Sequence, residues 1–173
     1  MPMNLKKISV AVLLGMAVTG AAYAATQSGI VANIRFLTPL SFGVVTDVDL
    51  GDWQAGASGR NFQVDTTGAA GGTDVADYIS GASAGNVDIL GSAVATIDIV
   101  ANNFVANSGV VVTGVPCNYG GAGATTCDGA GISGAAAPGA GTNILLGATV
   151  DTSTAHVDGD TAAPTFDLVV TYP

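Results

Sequence analysis

Apolar and polar positions alternate with period two along much of this chain, the pattern of strands with one buried and one solvated face. The segment around which the rest is organised runs over residues 25–43. In it Ile30, Ala32, Ile34 and Phe36 fall on one face, while Gln27, Gly29, Asn33 and Arg35 lie mostly on the other, interrupted by Val31. After a break at Thr38 and Pro39, residues 40–45 resume as a strand with Leu40, Phe42 and Val44 alternating. Residues 60–66 form a short strand with Phe62 and Val64 on one face, and residues 75–79 read as a strand or a single helical turn. Residues 86–90 and 94–100 flank Gly91 and Ser92, a pair suited to a tight turn, and so read as a hairpin. Further β-branched runs cover 104–106 and 109–113, and one strand spans 143–150. The strictest alternation closes the sequence, where Phe166, Leu168, Val170 and Tyr172 interleave with Asp167, Val169 and Thr171 ahead of Pro173. There is no internal repeat.

What precedes the first strand sets the compartment. Lys6 and Lys7 lead an uncharged, mainly apolar run over 8–18, followed by the small-x-small triplet Ala22, Tyr23, Ala24. That is the pattern of a secretory signal peptide, residues 1–24, with cleavage after Ala24. The apolar run is shorter than the roughly 20 residues of a spanning helix, although an uncleaved anchor is the alternative. No later segment is long and apolar enough to insert in a membrane. The expected product is an exported protein, residues 25–173, in the periplasm, at the cell surface or in the medium.

Beyond residue 24 the only cations are Arg35 and Arg60, against thirteen aspartates and no glutamate, a net charge of about −11. Such a surface repels nucleic acid and anionic membrane, because binding a phosphate backbone depends on Lys and Arg displacing counterions. The choice of acid also bears on the fold. Aspartate favours turns and caps, whereas glutamate and lysine build exposed helix, so this composition calls for short strands joined by many turns. The expectation is a single all-β domain, an immunoglobulin-like antiparallel β-sandwich of about 8–10 strands.

Residues 118–141 are more than half Gly or Ala without period, and read as a loop insertion that buries too little apolar surface to fold by itself. The only cysteines, Cys117 and Cys127, sit at its front, and in an exported chain they read as a disulfide. A redox pair would be spaced C-x-x-C, and a two-cysteine metal site would lack partners apart from the single His156. No catalytic group is expected. His156 stands alone in a polar loop, no nucleophile motif surrounds any serine, there is no glutamate, and no Gly-rich stretch links a strand to a helix as a phosphate cradle would. No cofactor is implied. Asp47, Asp49 and Asp52, or Asp158 and Asp160, could supply calcium oxygens, with ordinary Asp-rich turns as the plainer alternative.

Three stretches carry a resemblance: Leu40-Ser41-Phe42-Gly43, Leu146-Gly147-Ala148-Thr149-Val150, and the terminal Val169-Val170-Thr171-Tyr172. Together they resemble a family of Gram-negative exported domains catalogued as a domain of unknown function, over most of residues 25–173. The resemblance implies a β-sandwich and export, without a chemistry. A looser similarity is to subunits of chaperone–usher pili, which pair an alternating N-terminal strand with a C-terminal strand bearing a penultimate aromatic, here Tyr172. Here the cysteines lie in a late loop instead of linking early strands. The expected role is that of an exported structural or surface-assembly protein, pilin-like, polymerising by β-strand addition. Ile30, Ala32, Ile34 and Phe36 are the inserted groups, and Phe166, Leu168, Val170 and Tyr172 wall the accepting groove. The partners are copies of the chain or a periplasmic assembly chaperone. Closure of the chain's own sandwich by the same N-terminal strand stays open, as does a monomeric binding module, an adhesin or carbohydrate binder, using Trp53 and Tyr119 on loops.

Overall fold

The computed structural model describes residues 33–173. The signal-like segment 1–24 and the first part of the organising strand, with Ile30 and Ala32, lie outside the described residues. In chain order the strands are β1 (Ser41–Thr46), β2 (Asp52–Trp53), β3 (Asn61–Val64), β4 (Ala70–Gly71), β5 (Tyr78–Ser80), β6 (Gly85–Leu90), β7 (Ile97–Val105), β8 (Val110–Gly114), β9 (Pro116–Tyr119), β10 (Thr125–Thr126), β11 (Ile132–Ala135), β12 (Thr142–Leu146), β13 (Ala148–Thr152) and β14 (Thr165–Thr171). Among the described residues the helical content is one 3-10 turn, Val75–Asp77. The described residues thus carry fourteen short strands, where about eight to ten were expected.

All strand pairs are antiparallel. They assemble a five-stranded sheet in the order β1-β6-β12-β9-β10, a four-stranded sheet β4-β3-β13-β8, a three-stranded sheet β11-β7-β14 and the ribbon β2-β5. Alternation drives the burial. Val87 and Ile89 of β6, Ile97, Ile99 and Ala101 of β7, and Ala148 and Val150 of β13 are buried, while the residues between them are partly solvated. The inward side chains of the three larger sheets meet in one apolar cluster, an arrangement that fits an all-β sandwich.

Two sequence expectations are corrected by the sheet order. Residues 86–90 and 94–100 do not form a hairpin: β6 pairs with β1 and β12, whereas β7 pairs with β11 and β14. The connection between them crosses from one sheet to the other. Its hydrogen bonds go outward, Gly91 N–H to the Gly139 carbonyl and Ser92 N–H to the Tyr172 hydroxyl, instead of closing a turn. The stretch 143–150 is likewise two strands, β12 and β13, in different sheets. Gly147 is the corner. A Cβ there would collide with the Val64 carbonyl oxygen and approach Pro116 Cγ at 2.9 Å, so only the bare backbone fits between the sheets.

The Gly/Ala-rich stretch 118–141 carries two short strands, β10 and β11, which pair with β9 and β7. Polar anchors make up for its small apolar content. The Asp98 carboxylate accepts from Gly134 N–H and Ser133 Oγ, and Asp128 accepts from Val115 N–H. Cys117 and Cys127 form a fully buried disulfide with Cα atoms 5.8 Å apart, closing the loop between β9 and its partner strand β10. Other aspartates cap turns in the same way. Asp65 accepts from Thr67 N–H, Thr67 Oγ1 and Ala69 N–H, and the Thr67 hydroxyl bond is the leading cause that holds its carboxyl below the usual range. Stability from this turn is present above the unfolded pKa of aspartate and is lost as pH falls through the lower folded value.

Gly147→Ala should destabilise the domain by about 2–3 kcal/mol, as overpacking against backbone does, without changing the urea m-value. Replacing both cysteines by alanine should cost about 2–3 kcal/mol in the same measurement, the loop-closure contribution of a short disulfide loop.

Candidate functional site: a groove between two open strand edges

Among the described residues β1 and β14 each have one strand neighbour, β6 and β7, and so present one free edge apiece. These edges face each other across a groove of about 840 Å³. Its floor is core: Val87 of β6, and Leu146 and Ala148 on the two sides of the Gly147 corner. One wall is Phe42, Val45 and Val48, and the other is Phe166 and Leu168, with residues 162–164 at the lower end. Asp47, Asp49 and Asp167 stand along it as carboxylates.

The β1 wall is unusual in its exposure. Every residue of Ser41–Thr46 is exposed, including Phe42, Val44 and Val45, and the strand carries no charge. Natural edge strands are commonly blunted by Lys, Pro or an inward charge, and β1 has none of these. Its register with β6 shifts between Phe42 and Val45, so Phe42 and Val45, not Phe42 and Val44, line the groove. The sequence alternation alone points to the other residue. On β14 the pattern is regular: Phe166, Leu168 and Val170 are half-buried and packed on the core, while Thr165, Asp167, Val169 and Thr171 face outward.

Tyr172, just past β14, ties the chain ahead of β1 to the segment after β6. Its hydroxyl accepts from Ser92 N–H at 2.6 Å and donates to the Thr38 carbonyl at 2.6 Å. Gly91 lies beneath it, where a Cβ would meet Tyr172 Oη at 2.6 Å, Leu40 Cδ2 at 2.8 Å and Pro138 Cγ at 3.1 Å. The chain entering β1 is therefore fastened where β14 ends, and the two edges run in opposite senses.

Of the sequence-derived wall residues, Phe166 and Leu168 line the groove, whereas Val170, paired with Ile99, and Tyr172 pack on the core and do not line it. Of the insertion residues, Ile34 and Phe36 are 77% and 84% exposed, and residues 33–39 form no strand. The candidate binding aromatics are differently placed. Tyr119 is buried in β9, its hydroxyl donating to the Ala136 carbonyl, and burial raises its pKa. Trp53 is half-buried, stacked on Phe62 at 4.4 Å, with Nε1 donating to the Leu50 carbonyl at 2.7 Å.

A second hollow, about 510 Å³, lies beside Trp53 and is lined by Arg60, His156, Asp158 and Asp160. Arg60 and Asp160 are engaged by neighbouring groups, while His156 Nε2 is buried without a hydrogen-bond partner. Arg60 pairs with Asp77 and donates to the Gln54 carbonyl, and His156 Nδ1 lies 3.6 Å from Asp160 Oδ2. Among the described residues no three His, Cys or Asp side chains converge in a way that could hold a metal ion, and no helix is long and apolar enough to cross a membrane. Asp49 accepts from Gly51 N–H and Asp160 from Val157 N–H, both turn contacts. Compared with family models, curated proteins and solved structures, the chain matches none.

Tyr172→Phe removes a half-buried hydroxyl with two partners. It should lower stability by about 1 kcal/mol in urea unfolding and speed amide exchange at Ser92, with the fold retained.

Proposed function

We propose that this protein is an exported, immunoglobulin-like structural subunit that joins copies of itself by β-strand addition, in the manner of a pilin. The segment 25–36 of one copy enters the groove between β1 and β14 of the next. Ile30, Ala32, Ile34 and Phe36 fill it from above, and main-chain hydrogen bonds to the two edges supply the rest of the affinity. A periplasmic assembly chaperone would occupy the same groove beforehand.

One observation carries this reading: two strand edges, nearly devoid of charge, face each other across an apolar floor with no strand between them among the described residues. An incoming strand would pair both edges at once. Burying a side chain such as Ile or Phe contributes about 1.5–3 kcal/mol, and each net hydrogen bond about 0.5–1.5 kcal/mol, so a strand of this length binds without any catalytic or charged hot spot. The exposure of Ile34 and Phe36 leaves them available for that role. Their addition to the chain's own groove is the competing arrangement, and it differs only in which copy supplies the strand.

The test compares the complete protein with a version lacking residues 25–36, by negative-stain microscopy and sedimentation velocity. Filaments or a concentration-dependent ladder of oligomers should come from the complete protein, and folded monomers from the shortened one. Monomers of both, with the shortened form unfolded, would assign the strand to its own sheet.

A further inference from the structure

An apolar floor admits any strand with alternating apolar side chains, so the selection among such strands falls to the charge at the rim of the groove. Resting on the proposal that the groove accepts a strand, we infer that the partner holding it before a copy arrives is a strand of a separate, basic protein, with Lys or Arg at its outward positions. Asp47, Asp49 and Asp167 are the groups that select it.

These three carboxylates line the groove, Asp47 and Asp49 beyond the end of β1 and Asp167 on β14. All three are exposed, and among the described residues none is in an ion pair. Asp49 accepts from Gly51 N–H and Asp167 from Asn103 Nδ2, neutral contacts that orient a carboxylate without compensating its charge. Residues 36–173 hold all thirteen aspartates and a single cation, Arg60, which pairs with Asp77 beside the other hollow. An incoming strand therefore meets negative charge on both walls.

A strand seated on the floor turns alternate residues outward, where its neighbours on β14 are Thr165, Asp167, Val169 and Thr171. A cation opposite Asp167 is stabilised there, and an acidic residue is destabilised. The chain's own segment is poorly matched to this rim. Gln27, Gly29, Val31 and Asn33 are neutral, and Arg35 is already engaged within its own chain. That segment also arrives attached to a domain as acidic as the one receiving it, so two copies repel at long range, whereas the same field draws a basic partner in and speeds its encounter. Salt then acts in opposite senses: it weakens the hold of the basic partner and eases addition of a copy.

Fluorescence anisotropy on the complete protein, at a dilution that keeps it monomeric, tests this with three labelled peptides of residues 25–36. One is unaltered, one carries Gln27→Lys, Val31→Lys and Asn33→Lys, and one carries Gln27→Glu, Val31→Glu and Asn33→Glu. At low salt the lysine peptide should bind on the order of tenfold more tightly than the unaltered one and the glutamate peptide more weakly, with the spread shrinking to about twofold near about 1 M salt. In the variant Asp47→Asn, Asp49→Asn, Asp167→Asn the lysine advantage should fall to about threefold or less, while the unaltered peptide binds as before. If the unaltered peptide binds and the lysine peptide binds no tighter, the inference is overturned while strand addition stands. A lysine advantage undiminished in the triple variant also overturns it, because overall charge and not the rim then makes the selection. Should none of the three peptides bind, the reading of the groove as a strand acceptor falls and the inference with it.

Discussion

A strand at the edge of a sheet satisfies half of its N–H and C=O groups through its neighbour and leaves the other half to water or to a further strand. In this domain two such edges, β1 and β14, stand on opposite sides of one groove, and the floor between them is the apolar core itself. Water can solvate the edges, but it gains nothing from Val87, Leu146 and Ala148 beneath them. A strand with alternating apolar side chains satisfies both needs together. Several aspartates, such as Asp65, Asp98, Asp128 and Asp160, are occupied by backbone N–H groups, whereas Asp47, Asp49 and Asp167 stand along the groove.

The groove exists because the chain changes sheets at defined points. Gly147 lets β12 pass into β13 under the Val64 carbonyl, which places Leu146 and Ala148 side by side at the floor. Tyr172 fastens Thr38 and Ser92, so the start of β1 and the end of β14 are held together. The buried disulfide closes the loop from β9 to β10, at the opposite end of the five-stranded sheet from β1. Packing, corner and latch together hold the two walls of this groove in place.

Much of this was legible in the alternation of side chains. The strands around Phe62 and Val64, Ile97 and Ile99, and Phe166 through Val170 fall where period-two burial requires, because one face of each must meet the core. The disulfide was expected from two cysteines in a chain whose first residues read as an export signal. Pairing was less legible, since alternation names the buried face of a strand but not its neighbour. Gly91 and Ser92 therefore looked like a hairpin turn, although their hydrogen bonds go to Gly139 and Tyr172. Gly147 was hidden inside a continuous apolar run, and the shift in register that turns Val45 toward the groove leaves no trace in composition. Trp53 and Tyr119 illustrate the reverse case: aromatic residues near polar sequence that the fold draws against its own core.

The central claim is that the groove-side edges of β1 and β14 lack a strand partner in the isolated domain and gain one on assembly. Residue-resolved amide hydrogen exchange addresses this directly, on the complete protein at a dilution that keeps it monomeric and again after assembly at high concentration. The account predicts fast exchange of the groove-facing amides in Phe42–Val45 and Phe166–Val169 when dilute, and strong protection of the same amides once assembled. Amides already protected in the dilute monomer, with no further change on concentration, would contradict it.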